Sequence, residues 1–167
     1  MRAAASATLA MMDDHSWQPL RRGRWFEEFH AGERFRSAGR TITDADLVLF
    51  SGLVGAQNPQ FLDEEYARAS PFGGRIAPGP LTLALGLAAA EPLLTGTLLA
   101  LLGVDRVRYQ APVRPGDTVY AEIEVAEVRP SSQPGRGIVR LASTLRNQRG
   151  EAVLTFEHTL LVRARAG

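Results

Sequence analysis

The chain has 167 residues, 45% of them hydrophobic and 22% charged, the size and composition of one soluble globular domain with a full core. Its 19 basic residues, all arginine, nearly balance 18 acidic ones for a net charge of +1, so nothing points to a nucleic-acid or anionic-membrane partner. Cysteine is absent, which excludes disulfides and thiolate chemistry, and His15, His30 and His158 lie too far apart for a metal-ligand spacing.

Residues 1–24 show no periodicity and read as a tail ahead of a domain over 25–165. The alanine-rich start runs straight into Asp13-Asp14 without the long apolar stretch of a signal peptide, and Met11 and Met12 are alternative starts. The expected location is therefore cytoplasmic. Packed structure is expected from Trp25, followed by a short strand over Arg34 to Ala38. Thr43 is a good helix N-cap, with Asp44 and Asp46 in the first turn where carboxylates favour the helix dipole. Leu47, Phe50 and Val54 make one apolar stripe of that helix, with Leu53 beside it, and Gly55 ends it. Asn58-Pro59 signals a turn. Asp63 to Arg68 reads as one or two helical turns with Asp63 as cap, and Pro71 to Gly74 as a loop.

Pro80 suits the first position of a helix, where its missing N–H has no intrahelical partner. From Leu81 to Leu87 that helix is apolar nearly all round, so something must wrap it. The apolar stretch from Leu81 to Leu102 contains Glu91, Pro92 and two glycines, and reads as a buried helix with a following segment, not a membrane span. Strands are expected over Val104 to Gln110, Thr118 to Val128, Gly137 to Asn147 and Glu151 to Arg163. In the second of these, Val119, Ala121, Ile123 and Val125 alternate with polar residues, the mark of a strand with one wet face. Asn147 to Gly150 makes a hairpin connection and Val128 to Gly137 a longer loop. One apolar helix followed by consecutive antiparallel strands gives an α+β domain whose sheet curls around the helix.

Three segments carry a family resemblance. The first is Phe26 to Glu33 with Gly39 to Asp46. The second runs from Phe50-Ser51-Gly52 through Asn58-Pro59 and Asp63 to Ala67, then Gly73-Gly74-Arg75-Ile76-Ala77, to Gly79. The third is Val107 to Thr118. In this order the chain resembles the MaoC-like dehydratases, which include the R-specific enoyl-CoA hydratases. The resemblance implies a hot-dog fold, a curled antiparallel sheet wrapped around one long central helix. It implies an acyl-CoA or acyl-carrier-protein thioester as ligand and no cofactor. It also implies a homodimer or higher oligomer, or a pairing with a catalytic hot-dog subunit.

In that family the second segment reads Asp-x-Asn-Pro-x-His and later Ile-(Ala/Val)-His-Gly. The Asp and first His move protons, and a glycine N–H at the helix start polarises the thioester carbonyl. Here those acid/base positions hold Ala56, Phe61 and Pro78. Losing positioned proton-transfer groups costs about 10²–10⁴-fold each. The resemblance therefore implies a substrate-holding protein whose binding residues are Gly79, Ala77, Asn58, Phe61, Ala56 and Pro78. An active hydratase would need relocated groups, with Asp63 and Asn58 the candidates. A structural dimerisation module without ligand is the remaining alternative. The residues themselves leave several roles open. Asn58 is a turn-fixing or a site residue, Asp63 a cap or an acid/base, Gln57 a solvated loop residue or a water-orienting group, and Phe61 core filler or pocket wall. His158 lies mid-strand as a packed or edge residue, and His30 lies at the surface.

Overall fold

The computed structural model describes residues 23–165, so all but the last two residues of the tail expected over 1–24 lie outside them. Gly23 and Arg24 already belong to the packed domain, their N–H groups donating to the carbonyls of Thr95 and Leu93. A 3₁₀ turn over Phe26–Glu28 leads into β1 (Arg34–Arg36) and β2 (Arg40–Thr41), the latter too short to leave a sequence pattern.

The helical region comes next, as α1 (Asp44–Val54), α2 (Pro59–Leu62), α3 (Glu64–Ala69), α4 (Gly79–Ala88) and α5 (Glu91–Leu94). Thr43 caps α1 through a capping box with Asp46, and Gly55 closes it in the left-handed conformation. The apolar stripe of α1 is buried only in part, with Phe50 packed against the core beside Leu47. Leu47 and Ser51 are its buried residues, whereas Val54 is 54% and Leu53 85% exposed. The helix leans on the core by its first two turns only.

Four long strands complete the fold: β3 (Leu98–Tyr109), β4 (Thr118–Pro130), β5 (Arg136–Asn147) and β6 (Ala152–Arg163). All pair antiparallel in the order β1-β4-β5-β6-β3, with β2 also on β4. The loop expected from Val128 to Gly137 is shorter than its prolines and glycines suggest, because the ladder continues through Val128↔Val139 to Pro130↔Gly137. The expected start of β3 at Val104 is also corrected, to Leu98. Register shifts between Leu98 and Ala100 and between Leu101 and Gly103 break the alternation there, so the leucine run looks unlike a strand in sequence.

Alternation sorts the sheet into two faces. Val119, Ala121, Ile123 and Val125 of β4 join Val139, Leu141 and Leu145 of β5 and Leu154, Phe156, Leu160 and Val162 of β6 in one core cluster. The opposite face carries ion pairs across strands, including Arg146–Glu122 at 2.8 Å, Arg140–Glu127 at 2.9 Å and Arg140–Glu157 at 3.2 Å. Helix α4 lies on the apolar face over β5 and β6. Gly86 makes that approach possible, since a Cβ there would stand 2.8 Å from the Phe156 ring and 2.9 Å from a Leu145 methyl. The helix starts at Gly79, which puts Pro80 at its second position rather than its first. Its far side is covered incompletely, with Pro80, Ala84 and Ala88 exposed.

Candidate functional site

At the start of α4 the chain leaves a cavity of about 410 Å³. Its walls come from three places: Phe61 on α2, the Phe72 and Ile76-Ala77 approach to α4, and the run from Tyr109 at the end of β3 to Val113. Gly79 and Thr82 of α4 form the floor. None of the lining residues is Asp, Glu, His or Arg. The cavity is apolar apart from the Tyr109 and Thr82 hydroxyls, the Gln110 amide and backbone groups.

Several bonds hold this frame. Ala77 N–H donates to the Val113 carbonyl at 2.7 Å, and Gln60 Nε2 donates to the Gly74 carbonyl at 3.0 Å. Arg114 donates to the Phe72 carbonyl. Arg75, one residue before Ile76, donates to Glu64 on α3 at 2.8 Å and to Asp44 at the start of α1. Those carboxylates, with Glu64 the larger influence, push the Arg75 guanidinium pKa up against the opposing effect of burial. Behind the frame, Asp117 accepts from Gln148 at 2.8 Å, from the Arg114 N–H at 2.9 Å and from Arg149 at 3.3 Å. Burial opposes its ionisation, but these donors outweigh it and hold the carboxyl below the usual carboxylate range.

The backbone donors at the helix start can be counted one by one. Pro78 and Pro80 have no N–H. Leu81 and Thr82 both donate back to the Pro78 carbonyl, at 3.0 and 3.2 Å. Among the described residues no carbonyl receives the Gly79 N–H, so it is the first-turn donor left for something else. It lies at the positive end of a 10-residue helix, on a residue that lines a largely apolar cavity.

The sequence-based candidates divide. Gly79, Ala77 and Phe61 line this one cavity, and Pro78 is the buried N-cap residue between two of them. Ala56, half-buried after α1, does not line it. Asn58 is exposed, and its Oδ1 accepts the Gln60 N–H at 3.0 Å as the cap of α2. Asp63 is exposed and accepts the Tyr66 N–H at 3.0 Å as the cap of α3. Gln57 is exposed beside them. His30 is exposed near Glu33, whereas His158 is buried in β6, stacked on Phe156 with ring centroids 5.3 Å apart. No group of three metal-ligating side chains exists among the described residues. The polar lining residues missed in the sequence are Tyr109, Thr82 and Gln110, and the apolar ones are Phe72, Ile76, Ala111, Pro112 and Val113. Thr82, one turn after Gly79 minus a residue on the same helix face, was the findable one.

A model of the MaoC like domain matches residues 27–147. The chain is 31% identical to the mesaconyl-CoA hydratase of Cereibacter sphaeroides over 86% of its own length but only 42% of that protein's. It is 33% identical to the (R)-specific enoyl-CoA hydratase of Rhodospirillum rubrum, over 84% of this chain and 93% of that one. A conserved hypothetical protein from Mycobacterium tuberculosis with a double hot-dog fold superposes with a TM-score of 0.77 and 25% identity, covering 86% of this chain and 45% of that one.

Proposed function

The chain belongs to the MaoC-like acyl-CoA hydratase and dehydratase family of hot-dog proteins, and we propose that it holds an acyl thioester without itself moving the protons. One observation carries this reading: the cavity at the start of α4 offers hydrogen-bond donors and apolar walls but no carboxylate or imidazole. Hydration of an enoyl thioester needs a base for water, an acid for the α-carbon and donors for the enolate oxygen. Only the third requirement has candidates here. The Gly79 N–H takes the thioester carbonyl, while Phe61, Phe72 and Ile76 enclose the acyl chain, with Ala77 and Pro78 fixing the helix start. Ala56 and Asn58 stand outside the cavity lining, and Asn58 acts on it only by capping α2, which carries Phe61. The thioester is carried on CoA or acyl carrier protein in the cytoplasm.

The assembly is a homodimer or a higher oligomer, with a proton-transferring hot-dog subunit as the other available partner. A chain that covers 45% of a double hot-dog neighbour meets a second module most simply in another copy of itself.

Two measurements test the function together. A thermal-shift titration with butyryl-CoA is expected to stabilise the protein, by about 2.7 kcal/mol at a hundredfold excess over Kd. Crotonyl-CoA is expected not to be hydrated. Absence of stabilisation refutes thioester binding. Hydration that disappears in Asp63→Asn refutes the non-catalytic reading in favour of relocated acid/base groups, although the Asp63 carboxylate is engaged in capping α3.

A further inference from the structure

Strand β3 changes phase before it reaches the cavity. Val104 pairs with His158 and Asp105 with Glu157, after which Arg108 pairs with Thr155 and Tyr109 with Leu154. Arg106 and Val107 therefore stand opposite the single residue Phe156, an inserted residue in the ladder. Arg106 takes the left-handed conformation there, with φ 53°, where a non-glycine residue is strained. The consequence is geometric. Plain alternation from Val104, on the helix side, would send Tyr109 to the opposite face, whereas the insertion returns it to the helix side beside buried Leu154.

On that side Tyr109 meets the start of α4. A Cβ built on Gly79 would lie 3.0 Å from Tyr109 Cζ, 3.1 Å from Cε1 and 3.3 Å from the hydroxyl oxygen. The hydroxyl end of the ring thus abuts the residue whose N–H is unclaimed. Among the described residues, no group is bonded to that hydroxyl. Tyr109 is 51% exposed, and the partial burial of its phenol pushes the pKa up from the ordinary value, so it stays a donor throughout the physiological range.

We propose that Tyr109 is the second donor to the ligand's carbonyl oxygen, forming with the Gly79 N–H a two-donor cradle that recognises the thioester carbonyl itself. A carbonyl oxygen has two lone pairs, and one backbone N–H satisfies one of them. The proposal rests on the acyl-thioester reading of the cavity and adds to it what the protein recognises: the carbonyl, over and above the acyl chain and the carrier. Thr82 and Gln110 are the other polar side chains in the lining, but neither abuts Gly79 as the phenol does.

The experiment compares butyryl-CoA with S-butyl-CoA, a thioether that keeps the chain and carrier but has no carbonyl. Calorimetric titration of the full chain is run on wild type, Tyr109→Phe and Thr82→Val. Wild type is expected to favour the thioester, and Tyr109→Phe to reduce that preference about three- to tenfold, the worth of one hydrogen bond. Thioether affinity is expected to stay unchanged. The carbonyl stretch of bound [1-¹³C]butyryl-CoA is expected to move toward its free value in Tyr109→Phe, which a purely structural role for the ring would not produce. An unchanged preference in Tyr109→Phe, or a loss carried by Thr82→Val instead, overturns the proposal and leaves thioester binding standing. Wild type binding neither compound overturns both.

Discussion

At the scale of single residues, the least expected group is His158. Its ring is 1% exposed, and both nitrogens lack a hydrogen-bond partner. Its ladder neighbours Leu141 and Val104 bring no compensating charge. Burial pushes its pKa down to about 4. The native state therefore holds it neutral, while the unfolded chain protonates it near 6.5, so stability is intact above that value and drains away as pH falls toward 4. Between pH 7 and pH 5 this one group is expected to remove about 2 kcal/mol of stability. Urea unfolding of wild type and His158→Leu at both pH values measures it. The leucine variant should lack most of that loss and gain stability at pH 7, because two unpaired buried nitrogens have gone. An equal acid loss in both proteins would show that the imidazole is not the source.

At the scale of elements, periodicity was readable wherever a strand or helix keeps one phase. The alternation of Val119 to Val125 and the buried face of β5 and β6 follow from it directly. Strand β3 was only half legible because its ladder slips three times, and each slip moves the side chains behind it to the other face. That same slippage hid Tyr109 from the candidate site, while Gly79, Ala77 and Phe61 were legible as a motif beside a helix start. Asn58 and Asp63 were open between two roles in sequence, and their capping bonds are visible only with the turn geometry in hand. The contact between α4 and the sheet offers a sharp test at Gly86. Replacing it by Val places a branched side chain against Phe156 and Leu145. The expected cost is about 1–3 kcal/mol of overpacking, added to the poorer fit of a β-branched residue in a helix. A drop in the urea midpoint measures it, and an unchanged midpoint would mean that α4 does not sit this close to the sheet.

At the scale of the whole molecule, one chain leaves unfinished surfaces. Strand β3 closes one edge of the sheet, with Leu99, Leu101 and Leu102 exposed by 41%, 48% and 51%. A long apolar edge strand invites another strand, and native proteins cover such edges or break them up. The bulges break it up only in part, since they turn Leu99 and Leu102 outward without adding charge. The incompletely covered side of α4 is the second such surface. A second copy covers both at once if the two β3 strands face each other, because a two-fold axis there brings the α4 helices together over a continuous sheet. Sedimentation is therefore expected to give at least twice the 18.1 kDa of one chain. Leu99→Glu combined with Leu102→Glu is expected to reduce it to one chain. Both residues lie at register shifts, so the change leaves the β3–β6 ladder in place, and circular dichroism should stay unchanged. A monomeric wild type, or a double variant that stays associated, would mean that β3 meets no second copy. Tyr109 ends this same strand, so loss of butyryl-CoA binding in a folded monomeric variant would tie the cavity's shape to the association.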